Sequence, residues 1–380
     1  VSIERKSKKR YFAVALHTMP SKVHFGNYAD QWWSLGVTKV KGATELASLS
    51  GPVCFNGKQG YVKANQRRAL ALADQSLNLH NGAIIEKTFY LEVTPDTAKG
   101  SSFIAPTKTS LAIFKPTADG MPSMKEIVEA KLRFANKRWK SSDKAQGYTF
   151  GPRQKSLVFG WCGQVTGVAS AVFALNKYSD HKDNILRATQ TMDTMTKSPI
   201  NTHGFHNELD INSGRWREQN VLSQGQGLEN VARAIINGRK ENINTKKWEA
   251  FMEKAADVHA ARILKENWRP KSTNEAFHIS PLCKAYKLFK KEIYKKAALK
   301  ATEHYGKRHL SMEEPYWGGT LDADCEDKEG AWAGFQGFLA AYEMTKKAKY
   351  LKWAEHAMYV TLSYTVNWDM QLPASRLNDH

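Results

Sequence analysis

Long hydrophobic runs are missing from this sequence. No apolar stretch approaches the ~20 residues that a membrane helix needs, so no membrane-spanning segment is expected. Cysteine is sparse: four residues, Cys54, Cys162, Cys283 and Cys325, stand far apart without a CxxC pair. This excludes a disulfide scaffold and a zinc ribbon and leaves buried free thiols as the expectation. Zinc-finger spacing, an RNP-type motif and a basic heptad region are also absent, so no nucleic-acid partner is expected. No signal peptide opens the chain, which begins Val-Ser-Ile-Glu; a mature, a trimmed or a cytosolic form would each read this way.

What is present points to a folded protein of two parts. At 380 residues the chain is long for one domain. Hydrophobic residues make up 42% and aromatics 11%, enough for a real core and against wholesale disorder. The balance of 56 basic against 37 acidic residues gives a net charge of +19, which attracts polyanions, with nucleic acid and anionic polysaccharide as the two classes to weigh. The one dense basic run, Arg5, Lys6, Lys8, Lys9 and Arg10, reads as a solvated tail.

Residues 1–150 read as a mixed α/β region of unassigned role. Strands are expected at 11–16 (YFAVAL), 88–93 (TFYLEV) and 110–114 (SLAIF). Helices are expected at about 28–49, 63–79 and 123–139. The polar, glycine-containing stretch 140–152 is the candidate boundary.

From Ser156 onward the pattern becomes regular. Paired helices are expected at 163–175 and 183–195, 225–238 and 246–264, 275–289 and 292–304, and 328–345 and 350–366. The second members open alike: Trp248 with Ala255, Tyr294 with Ala297 and Ala298, Tyr350 with Ala354. The last three pairs recur at roughly 50 residues, the mark of stacked units around one continuous core. The first members carry small residues, among them Gly167, Gly227 and Gly337, which let helices approach closely.

Chemistry concentrates in the loops. Residues 313–332 (EEPYWGGTLDADCEDKEGAW) bring Tyr316, Trp317, a Gly-Gly turn and the acids Asp322, Asp324 and Glu326 to the start of a helix. Flat aromatic faces beside closely spaced carboxylates suit a sugar-cleaving site, because adjacent carboxyls split their pKa values into an acid and a base. The same acids would also cap a helix start. A D-x-D-x-E run begins an EF-hand, but Asp327 and Ala333 stand where that loop needs Gly and Glu; only an irregular structural calcium site is left open, and no other cofactor or metal is expected.

Residues 201–224 offer His206, Asp210, Arg215 and Trp216: a base, a substrate-binding acid, a fork for a carboxylate or sulfate, and a ring platform. Glu275 and Glu229 are reserve carboxylates; Glu275 would equally serve a helix start, and a buried Glu229 would need a partner.

Helical hairpins with Gly- and Trp-rich loops before each inner helix resemble the six-hairpin (α/α)6-toroid glycosidases and polysaccharide lyases. The resemblance rests on Phe159-Gly160-Trp161-Cys162-Gly163, Ser223-Gln224-Gly225-Gln226-Gly227, Tyr316-Trp317-Gly318-Gly319 and the aromatic-then-alanine openings. It implies a mainly α fold, an (α/α) toroid over residues 151–380, with its cleft lined by the loops that enter the inner helices. Trp161 joins the substrate-binding candidates there. Four hairpins are legible and not six, so the N-terminal helices supply more or the ring is incomplete. The expected activity is glycoside hydrolysis of an anionic polysaccharide or oligosaccharide in a secreted or periplasmic setting. A lyase using His206 or Tyr316 as base, an epimerase-like barrel, and a non-catalytic polyanion binder are the alternatives.

Overall fold

The computed structural model describes residues 1–18, 23–25, 28–31, 33–50, 61–64, 68–71, 81–82, 84, 86–117, 120–160, 165–178, 181–270, 273–311 and 328–365. The chain divides into two compact units, Val1–Ala118 with Thr365–His380, and Asp119–Tyr364. The protein is mainly α, with strands concentrated in the first unit.

The first unit holds an antiparallel sheet of Ser2–Ser7, Arg10–His17 and Tyr90–Thr97. Helix α1 (Ile104–Phe114) is tied to it by His17, which meets Ser110 Oγ at 2.7 Å and Glu92 Oε2 at 2.8 Å. Three expectations fail here, the third over the described residues of its range. Residues 28–49 are not helical: Tyr28–Gln31, Trp33–Val40 and Ala43–Ser50 are strands. Lys41 and Gly42, at φ +48° and +82°, form the two-residue turn whose twist matches an antiparallel hairpin. Residues 110–114 are the end of α1 and not a strand; Lys115 takes a left-handed φ of 41° and its N–H returns to Leu111 O, closing a helix before Pro116. A five-residue apolar run cannot by itself separate the two states. In 63–79, Tyr61–Ala64 and Arg68–Ala71 are strands, and the remainder lies outside the described residues.

The second unit opens with α2 (Met124–Arg138), as expected near 123–139. Ser123 Oγ accepts from Glu126 N while Glu126 Oε2 accepts from Ser123 N, a reciprocal cap. The stretch 140–152 carries a short hairpin, Trp139–Ser141 with Gln146–Tyr148, inside this unit.

The four helix pairs then follow: α3 (Val165–Leu175) with α4 (Asn184–Met195), α5 (Val221–Lys240) with α6 (Lys246–Leu264), α7 (Ile279–Phe289) with α8 (Glu292–Ser311), and α9 (Lys328–Thr345) with α10 (Ala348–Ser363). A 3-10 turn, Thr273–His278, leads into α7. Each helix packs on its hairpin mate; α3, α5, α7 and α9 pack in succession as one layer, and α4, α6, α8 and α10 as another. This is the arrangement of an (α/α) toroid.

The repeated aromatics have a physical job in the outer layer. Trp248 Nε1 donates to Asp193 Oδ1 at 2.7 Å, Tyr294 OH to Asp257 Oδ1 at 2.7 Å, and Tyr350 OH to Glu303 Oε1 at 2.7 Å. Each ring is buried, and each bonds a carboxylate on the preceding outer helix. Burial and the facing carboxylate push the phenols of Tyr294 and Tyr350 up, so both stay protonated donors. The alanines of the same signature, Ala255, Ala297, Ala298 and Ala354, are buried beside them.

The small residues of the inner layer set its spacing. A Cβ on Gly167 would meet Asn230 at 3.0 Å, one on Gly227 would meet Phe159 Cβ at 2.9 Å, and one on Gly337 would meet Ile279 Cβ at 3.0 Å. The contacts also fix direction. Gly167 lies at Asn230 and Ser170 at Asn237; Gly225 lies at Phe277 and Glu229 at Lys284; Phe277 lies at Trp332 and Ile279 at Gly337. Both numbers rise together in every pair, so α3, α5, α7 and α9 run parallel. The N-termini of the four helices therefore lie at one end of the layer.

Candidate functional site

That end is built by three described lead-in stretches. The first, Ser156–Val158, pairs with Glu208–Asp210, which pairs in turn with Trp216–Arg217. A second hairpin, Ile200–Asn201 with Gly204–Phe205, lies beside it. The third stretch runs from the end of α6 through the 3-10 turn before α7. Phe159, Phe205, Phe251 and Trp216 pack as one aromatic cluster beneath them, with Phe159 and Trp216 rings stacked at 6.4 Å. Trp216, expected as a sugar platform, is thus a half-buried member of this cluster.

Asp210 serves its own turn. Its Oδ1 accepts from Asn212 N at 3.1 Å, Ser213 N at 2.9 Å and Ser213 Oγ at 3.0 Å, and the Ser213 bonds hold its carboxyl below the ordinary range. Arg215, on the same turn, is exposed and has no ion pair among the described residues. His206 is half-buried; its Nδ1 is shielded from solvent and lacks a hydrogen-bond partner among the described residues.

Glu275 ties two elements together. Its Oε2 accepts from Arg262, in the last turn of α6, at 2.5 Å and from Trp268 Nε1 at 2.8 Å. Glu229 is buried on α5, its Oε1 bonded to Arg233 Nε at 2.7 Å and Lys284 Nζ at 2.9 Å. Burial raises its carboxyl pKa, but the two cations outweigh burial and hold it below the usual value. Its Oε2 is buried without a hydrogen-bond partner among the described residues. The partner that a buried Glu229 requires is therefore supplied, chiefly by Lys284 on the next inner helix. Replacing Glu229 by Gln leaves Lys284 facing a neutral amide and is expected to cost about 1–3 kcal/mol. Urea unfolding checks this as a lower midpoint at unchanged slope.

A polar cluster that sequence reading did not single out lies between α5, α6 and the 3-10 turn. His259 and His278 are buried with ring centroids 4.2 Å apart. A guanidinium only donates, so His259 Nδ1 accepts from Arg262 at 3.4 Å and its proton sits on Nε2. A carbonyl only accepts, so His278 Nε2 donates to Val221 O at 3.0 Å. Burial, then the Arg262 charge, pushes His259 down to about 3. Burial, His259 and Arg262 push His278 well down, against its bond to Val221 O. Gln224 Nε2 donates to His203 O at 3.2 Å. The cluster thus links the start of α5, the end of α6 and the 200–205 hairpin. Buried from solvent, these neutral rings brace the end of the layer, and His259 Nε2 and His278 Nδ1 have no hydrogen-bond partner among the described residues. Their separation in sequence hid them: nothing in the residue pattern pairs His259 with His278.

Cys283 is a buried free thiol, raised to about 12 by burial. Trp161, Tyr316, Trp317, Asp322, Asp324 and Glu326, with Cys54, Cys162 and Cys325, lie outside the described residues. No group of three His, Cys, Asp or Glu suited to a metal ion occurs among the described residues, and no helix among them is long and apolar enough to cross a membrane.

No family model and no curated protein matches the chain. Solved structures do align with it. A GH76 α-mannanase from Bacteroides thetaiotaomicron shares 14% identity over 60% of this chain and 65% of its own, with a TM-score of 0.43. A family 76 glycoside hydrolase from a bovine Bacteroides thetaiotaomicron strain shares 12% identity over 95% and 77%, at 0.44. Cellobiose 2-epimerase from Bacillus thermoamylovorans shares 11% identity over 62% and 69%, at 0.43. The chain thus spans just under two thirds of the first of these. Likeness at this level leaves the function to be argued from the residues themselves.

Proposed function

We propose that the chain is a carbohydrate-active enzyme, a glycoside hydrolase that cuts an anionic polysaccharide or its oligosaccharides. The observation that carries this reading is the common direction of the inner helices. It brings the described lead-in stretches and the N-terminus of α9 to one end of the layer. Glu229, Glu275 and Asp210 each have an oxygen held by internal cations or by a turn. The acid and base are therefore assigned to Asp322, Asp324 and Glu326, with Tyr316, Trp317 and Trp161 as ring platforms. The net charge of +19 and the exposed Arg215 favour a substrate carrying carboxylate or sulfate. Such a substrate fits a secreted or periplasmic enzyme.

A second reading, β-elimination, is favoured by one observation: the unpartnered Nδ1 of His206 and the exposed Arg215 belong to neighbouring hairpins. His206 would remove the proton alpha to a uronate carboxylate that Arg215 neutralises.

A panel of anionic polysaccharides, read for new reducing ends and for near-ultraviolet absorbance, tests both. Reducing ends without absorbance are the expected result. Absorbance from an unsaturated uronate would transfer the assignment to elimination. Silence from the folded protein across the panel would overturn both.

A further inference from the structure

The second unit carries a groove of about 550 Å³ that the reading above does not use. It lies between the end of α4, the stretch 196–200 and the outer face of α6. Its apolar lining includes Ile200 and Phe251, and Phe251 belongs to the aromatic cluster under the lead-in stretches. Three exposed lysines line it: Lys197, Lys247 and Lys254. Lys247 and Lys254 stand seven residues apart on α6, two helical turns, so both project from one face. None of the three pairs with a carboxylate among the described residues. The one acid of the groove, Asp193, already accepts a bond from Trp248 at 2.7 Å. Three cations over an apolar floor match a ring carrying anionic substituents. Pro199 O, on the groove's stretch, accepts the backbone N–H of His206, so only the 200–205 hairpin separates the groove from the candidate site.

We infer that this groove is a second saccharide-binding site, which holds a sulfated or carboxylated sugar unit through Lys197, Lys247 and Lys254. The inference rests on the carbohydrate reading above for the nature of the chain that carries the anion. The groove lies outside the catalytic assignment and anchors substrate beyond the cleaved bond.

Isothermal titration with trigalacturonate and, separately, with a sulfated disaccharide tests it, and the two arms distinguish carboxylate from sulfate. Wild type is compared with the triple variant Lys197→Gln, Lys247→Gln, Lys254→Gln. The control is Lys131→Gln, Lys137→Gln, Lys140→Gln, which removes the same charge from exposed positions on and just after α2. Two sites falling to one in the groove variant, with about tenfold or greater loss of that site's affinity and no such loss in the control, is the expected result. One site falling to none supports the groove and removes the cleft from the account. Equal loss in both triples, no loss in the groove variant, or no binding by wild type to either probe overturns the inference.

Discussion

Lowering the pH from 7 to 5 is expected to strip about 2 kcal/mol of stability from the second unit through His259, with a further loss through His278. The sign follows from the protons. An unfolded histidine binds its proton near pH 6.5. Native His259 resists it until about pH 3, and native His278 is also held well below its ordinary value. Between these limits the unfolded chain binds more protons, so stability is present above pH 6.5 and is lost as pH falls. Urea midpoints at pH 7 and pH 5 measure it. His259→Asn keeps an oxygen acceptor for Arg262 and is expected to remove the His259 share, about 2 kcal/mol, of the pH dependence. An unchanged slope in that variant would mean that the carboxylates, not the imidazoles, govern acid unfolding.

Gly160→Ala carries a large expected cost because the clash is with backbone. A Cβ there would lie 2.4 Å from Ser223 O, 2.6 Å from Ser223 Cα and 2.9 Å from Ser223 C. These are backbone atoms of the first turn of α5, so no side chain can swing aside. Either the lead-in stretch or the helix must move, and the stretch is pinned by Phe159 N–H to Asn207 O at 3.0 Å. A cost of about 3 kcal/mol or more is expected. For a unit of this size that is a fall of about 10 °C in Tm. Gly151→Ala, whose Cβ would meet only Gln154 Cγ at 3.5 Å, is the control and is expected to be nearly silent.

These two expectations show which parts of the molecule were legible in the sequence. The helix pairs read well because the aromatic-then-alanine openings reflect a repeated contact, a buried ring bonded to the preceding outer helix. Gly160 and Ser223 belong to two of the motifs that carried the toroid resemblance, and in the structure they touch. The first unit read poorly for a physical reason. The run from Trp33 to Ser50 is organised by a Lys41-Gly42 turn and cross-strand pairing, which helical periodicity does not report. The braces of the candidate site were hidden because they are long-range: Lys284 stands 55 residues beyond Glu229, and Gln224, His259 and His278 come from separate elements. The acidic stretch was visible as chemistry, while Asp210 proved to serve its own turn and Glu275 to have partners, Arg262 and Trp268, that the folded contact reveals.

The central claim is that the chain cuts a glycosidic bond with carboxylates from the stretch that feeds α9. Its most direct test is the turnover rate of Asp322→Asn, Asp324→Asn and Glu326→Gln on the polysaccharide that wild type degrades, with Tm matched to wild type. At least two of the three variants are expected to lose about a hundredfold or more, since proton transfer at each step requires its own carboxyl group. Wild-type rates in all three, at unchanged Tm, would contradict it.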